Sequence, residues 1–169
     1  MALSMHDASV PVFRQMLASL ADVLHKAQAH AEERKIEPDA LLQMRLSPDM
    51  FPLVRQVQIA CDFAKGVSAR LAGVEVPSYE DTERTFDELQ ARIARTREFI
   101  EGLDASAFEG SEGRDVVLRP GTPKERRLDG RTYLVHYGLP QFFFHVTTAY
   151  GLLRHGGVPI GKKDFMGQY

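Results

Sequence analysis

The chain has 169 residues, 44% of them hydrophobic, which is enough for one domain spanning 1–169 with a buried core. Its 21 Lys and Arg against 23 Asp and Glu leave a formal net charge of −2, which argues against a dedicated nucleic-acid or anionic-membrane surface. One cysteine excludes an internal disulfide or a multi-cysteine metal site, and no run approaches ~18 apolar residues; with no basic-then-apolar stretch in Met1–Met16, the expectation is a cytoplasmic protein without signal peptide or membrane span.

The first helix is predicted to start at Ser4 or Ser9, with Pro11 in its first turn. Phe13, Leu17, Leu20 and Leu24 set its apolar seam, which fades near Lys35. Pro38 opens a short segment with Leu41, Leu42 and Leu46. Ser47-Pro48-Asp49 reads as the cap and first turn of the second helix. Its seam, Met50, Val54, Val57, Cys61, Ala64, Ser68 and Leu71, alternates spacings of 4 and 3 up to Gly73. A second apolar group, Ile59, Phe63 and Val67, predicts cover on more than one face. One bundle core needs only one such face, so the other is a candidate homodimer surface.

After Pro77, Ser78 and Asp81 resemble a capping box, and Phe86, Leu89, Ile93, Thr96, Ile100 and Leu103 form the third seam, ending at Gly102. The charges among them, Glu83, Arg84, Asp87, Glu88, Arg92, Arg95, Arg97 and Glu98, read as a solvated face. Asp115–Arg119, the turn at residues 120–123 and Arg126–Leu128 predict a short β-hairpin or extended crossover. The last helix is expected from Asp129, with seam Val135, Leu139, Phe142, Val146, Ala149 and Leu153, a kink at Pro140 and an end at Gly156-Gly157. The tail from Val158 is expected to pack loosely. Four seams with one long connection predict an all-α four-helix bundle, with the hairpin in the crossover between the third and fourth helices.

Chemistry-bearing patterns are few. There is no nucleophile elbow, no phosphate loop and no dinucleotide fingerprint. Cys61 lies within a seam and reads as a small buried hydrophobe. No two of the six histidines are 3 or 4 residues apart, so none form a helical metal pair. His145 stands out, flanking the fourth seam with Gln141 one turn earlier. It is either a satisfied core histidine or half of a hydrogen-bonded pair lining a cavity.

Residues 139–158, 47–60 and 70–77 resemble an uncharacterised bacterial family of unknown function, and the resemblance extends over essentially the whole chain. That family is similar to the DinB/YfiT-like superfamily, which implies a four-helix bundle, often a homodimer. Its active members hold a divalent metal with three histidines, one on the second helix and an H-x-x-x-H pair on the last. Carried over, the pair falls on Gln141 and His145 and the first ligand on Ile59 or Ala60, so only His145 survives. The expectation is therefore no cofactor, and a metal-free bundle binding a small molecule or protein partner. Gln56, Gln58, Gln141, His145 and Tyr150 would line or border the cavity. Two alternatives stand beside it. One is a zinc- or nickel-dependent transferase or hydrolase with His145 as a ligand. The other is an interaction protein whose cavity is filled by Phe142 to Phe144.

Overall fold

A computed structural model describes residues 3–169. Its elements are α1 (Val10–Arg34), α2 (Pro38–Leu42), α3 (Leu53–Ala72), α4 (Phe86–Glu101), β1 (Asp115–Leu118), β2 (Arg126–Asp129), a short α5 (Gly130–Thr132), α6 (Leu139–His155) and α7 (Lys162–Met166). The expected four-helix bundle is formed by α1, α3, α4 and α6. In it α3 packs on α6 and α4, while α1 packs on α4 and α6. The crossover between α4 and α6 carries the expected hairpin, antiparallel with Val116 opposite Leu128. Seam residues Phe13, Leu17, Leu24, Val57, Cys61, Leu89, Ile100, Phe142 and Ala149 are all fully buried. Phe13 meets Phe142 edge to face with centroids 4.8 Å apart, which ties α1 to α6.

Two helix starts lie later than expected. Residues 47–52 are turn, and α3 begins at Leu53 with Pro52 extended at its cap. A helix running from Pro48 would place Pro52 in its interior, where it has no N–H to donate and its ring clashes with the preceding turn. The third helix begins at Phe86 rather than after Ser78. Thr85 Oγ1 accepts from the Glu88 N–H at 3.2 Å and the Glu88 carboxylate accepts from the Thr85 N–H at 3.0 Å, a complete capping box. Residues 74–84 are not helical. Their acids are drawn onto α3 and α4 instead, as described below.

The last helix starts as expected, with the Asp129 carboxylate accepting from the Thr132 N–H at 2.9 Å. Between α5 and α6, however, Tyr133–Gly138 forms a wider, π-helical stretch just before Pro140. This shifts the seam by about one residue, or roughly 100°. Val135 is accordingly 47% exposed, while Tyr133 and Leu134 are buried in its place. Gly138 allows the stretch to lie close against α3, because a Cβ there would stand 2.6 Å from Val67 Cγ2.

The tail is docked, contrary to expectation. Val158 and Ile160 are buried. Ser19 Oγ on α1 donates to the Asp164 and Phe165 carbonyls at 2.7 and 2.6 Å, and Lys26 pairs with Asp164. The glycines and lysines that suggested a loose end flank two buried apolar anchors.

Candidate functional site

Helix α3 positions the polar interior of the protein, presenting two polar stripes to two different neighbours. Along one, Gln56, Phe63 and Arg70 follow at seven-residue spacing, so they stack on one face. They meet α6 and the π-helical stretch in antiparallel order. Gln56 bonds His145, Phe63 packs on His145 and Tyr137 at centroid distances of 5.9 Å, and Arg70 bonds the Tyr133 hydroxyl at 3.2 Å. Along the other stripe, Arg55, Gln58, Asp62 and Lys65 face the segment 79–83 and α4.

The Gln56–His145 pair is buried, with Gln56 1% and His145 7% exposed. Gln56 Nε2 donates to the Phe51 carbonyl at 3.0 Å, so its Oε1 faces His145 Nδ1 at 2.7 Å. An amide oxygen only accepts, so Nδ1 carries the proton and donates. Burial first, and the Arg55 charge second, push the His145 pKa down to about 4. At neutral pH the ring is therefore uncharged, with the Nε2 lone pair outside the Gln56 bond. Phe144 borders the ring edge to face at 5.2 Å. Phe51 and Phe144 are each 54% exposed on the two sides of this pair.

The five residues expected around one cavity separate into four places. Gln56 and His145 come together. Gln58 turns to the other stripe, where its Nε2 donates to Glu83 at 2.8 Å and its Oε1 accepts from Arg55 at 3.2 Å. Gln141 shares the His145 side of α6 but lines a cleft under the hairpin. Tyr150 packs edge to face on Phe165 of α7, 5.5 Å away. The α3 residue opposite His145 is Gln56, one helical turn before the expected Ile59 or Ala60. The filled-cavity reading also fails in part: Phe142 is core, but Phe144 points outward. The second apolar face of α3 is largely covered within the chain, since Val67 is fully buried and Phe63 packs on Tyr137 and His145.

Sequence reasoning missed Arg92. It was assigned to a solvated face, yet its side chain is 2% exposed. The guanidinium reaches Asp62 at 2.9 Å, Asp81 at 3.0 Å, Glu83 at 3.0 Å and the Glu80 carbonyl at 2.9 Å. Lys65 adds a 2.7 Å bond to Asp62, and Arg55 pairs with Asp81. Burial opposes the Arg92 charge, but the Glu83 hydrogen bond and the charges of Asp62 and Glu83 outweigh it and raise its pKa. The signal was present in the sequence: Arg92 stands three residues after Leu89 and four before Thr96, on the seam itself. Three cations meet three carboxylates here, so the cluster is neutral and self-contained.

Cys61 is fully buried, and desolvation pushes its thiol up to about 12, which rules it out as a nucleophile at neutral pH.

The residues present do not fit the three-histidine metal centre implied by the superfamily resemblance. His145 is the one imidazole at the position, its Nδ1 is engaged by an amide, and the Arg55 charge acts on it. Among the described residues no group of three or more His, Cys, Asp or Glu side chains gathers in metal-binding geometry. Among the described residues no helix is long and apolar enough to cross a membrane.

Comparison with known proteins agrees with the fold. Residues 5–166 match the family described as Domain of unknown function (DUF1993). A crystal structure of a DinB family member protein from Shewanella denitrificans is 40% identical, with a TM-score of 0.92, over 98% of this chain and 93% of that one. No curated protein matches the chain.

Proposed function

The chain belongs to the DUF1993 family, and we propose that it is a metal-independent binding member of the DinB-like bundles. In this reading the Gln56–His145 pair takes a small protic molecule where metal-dependent relatives hold a cation. The observation that carries it is the Gln56 bond to Nδ1, which fixes the neutral tautomer and leaves Nε2 to accept one hydrogen bond. A lone imidazole with an amide oxygen is a poor zinc or nickel set, and a nearby guanidinium disfavours a dication further. Cytoplasmic placement belongs to the same proposal.

The test is metal analysis of protein purified without an affinity tag, with calorimetric titration of zinc and nickel. Metal far below one per chain and no saturable binding are expected. Near-stoichiometric metal would overturn the proposal in favour of the metal-dependent transferase or hydrolase reading.

Homodimerisation is a second, separate proposal. Its support moves from the covered 59/63/67 face to Phe51 and Phe144, two exposed rings flanking the His145 corner. Light scattering at tens of micromolar should show a dimer that Phe144→Asp converts to monomer, and a clean wild-type monomer removes this reading.

A further inference from the structure

The hairpin covers a cleft that the Gln56–His145 pair does not use. Two adjoining depressions, of about 190 and 560 Å³, share Leu118, Arg119 and Tyr137. The first is walled by Phe63, Tyr133 and Tyr137, and the second extends under the hairpin turn to Gln141. Tyr133 is buried and stacks under Tyr137 with centroids 5.9 Å apart, so the half-buried Tyr137 and Phe63 are the aromatic faces the cleft presents.

Its charge is one-sided. Arg70, Arg119, Lys124 and Arg126 line it, and none of the four forms an ion pair among the described residues. The two acids along its walls are engaged elsewhere: Asp62 with Lys65 and Arg92, and Glu125 with Arg127. Unpaired cations such as Arg14 and Arg45 occur elsewhere on the fold, but here four line one cleft beside aromatic rings. Four cations against two engaged acids make the cleft locally positive, in a chain whose net charge is −2.

One of the four cations is held by its side chain, and a second by its backbone. Arg70 folds back over Gly66, donating to its carbonyl at 3.0 Å and to the Tyr133 hydroxyl at 3.2 Å. A Cβ at Gly66 would stand 2.8 Å from the guanidinium, so a mid-helix glycine makes its seat. Arg119 has φ +51°, a left-handed backbone uncommon for a non-glycine residue. Thr122 locks it by donating to its carbonyl from both N–H, at 3.3 Å, and Oγ1, at 2.9 Å.

From these unpaired cations beside an aromatic wall, we infer that the hairpin cleft binds a small planar anion, a ring bearing a carboxylate or phosphate. The ring lies along Phe63 and Tyr137, and the anionic group meets Arg119 and Arg70. This site stands independently of the metal-free reading of His145.

The test is an amide NMR titration of the full chain with benzoate, phenyl phosphate, benzamide and inorganic phosphate. Benzoate and phenyl phosphate should shift the amides of 116–126 and 133–141 saturably. Benzamide, without the charge, and inorganic phosphate, without the ring, should each bind about ten-fold more weakly. Arg119→Ala should weaken both aromatic anions about five-fold or more while leaving the melting temperature in place. The inference is overturned if neither aromatic anion gives saturable shifts up to about 10 mM, a limit near 3 kcal/mol of binding. Benzamide matching benzoate, inorganic phosphate matching phenyl phosphate, or an unchanged titration of Arg119→Ala overturns it equally.

Discussion

Helix α3 buries polar side chains on two sides, and the two corners are built on opposite terms. At Arg92, three cations and three carboxylates are gathered around one buried guanidinium, and every charge has an opposite partner. At His145, burial has removed the charge instead, and an uncharged ring bonds an uncharged amide. The first corner fastens the non-helical segment 79–83 to α3 and α4, and Arg92 Nε is its one fully buried polar side-chain atom without a partner. The second holds its ring by one nitrogen and leaves the other to act. Buried polarity thus serves as a clasp in one place and as a candidate binding point in the other, and the difference lies in whether the groups satisfy one another.

The largest effect that can test this contrast is at the clasp. Arg92→Ala leaves the mostly buried Glu83 without an ion pair and takes the common cation from the more exposed Asp62 and Asp81, and should cost about 3 kcal/mol in urea denaturation. Arg92→Lys should recover only part of that, because an ammonium lacks the planar fork that reaches all three acids. A loss below about 1 kcal/mol for Arg92→Ala would show that the cluster is solvated after all.

The second test is pH. Unfolded imidazole titrates near 6.5 and the folded His145 at about 4, so between these values only the unfolded chain binds the extra proton. Stability must therefore fall as pH drops from 6.5 to 4, with no contribution above 6.5. The full penalty below 4 is on the order of 3 kcal/mol. His145→Leu removes it. The stability of the variant relative to wild type should rise by that order across the window, and a pH-independent difference would break the account.

At neutral pH the effects are smaller. His145→Ala should cost about 1–3 kcal/mol through a cavity and an unpaired Gln56 oxygen, whereas His145→Leu refills the volume and recovers only the cavity part. In a double-mutant cycle, Gln56→Ala and His145→Ala should couple by about 1 kcal/mol. If both His145 variants melt within about 0.5 kcal/mol of wild type, the pair contributes nothing and the binding proposal loses its anchor.

The smallest effect separates the hairpin from the tail in hydrogen exchange. Residues 119–127 are all exposed, so their amides should exchange fastest, while 158–166, anchored by Val158 and Ile160, should be slower. Equal protection in the two would show the hairpin tip to be packed rather than open.

What the sequence determined by itself was whatever repeats locally. The four seams, the hairpin strands, the Asp129 cap and the Gly73 and Gly102 helix ends are legible because burial at a period of 3.6 and turn chemistry act within a few residues. Family membership was legible in the same runs. Tertiary structure decided what depends on distant partners. Gln56 finds His145 across 89 positions of chain, so no spacing could have separated it from Gln58, which faces the other way. Arg92 reads as one more charge until the acids of 79–83 fold over it. Val135 sits in phase with its seam until the π-helical stretch rotates the register, a change driven by Tyr133 and Leu134 packing inward. Local periodicity tells which face of a helix is apolar. Which polar group completes which other is settled only when the faces meet, because the cost of burying a polar group unpaired is levied across the whole fold.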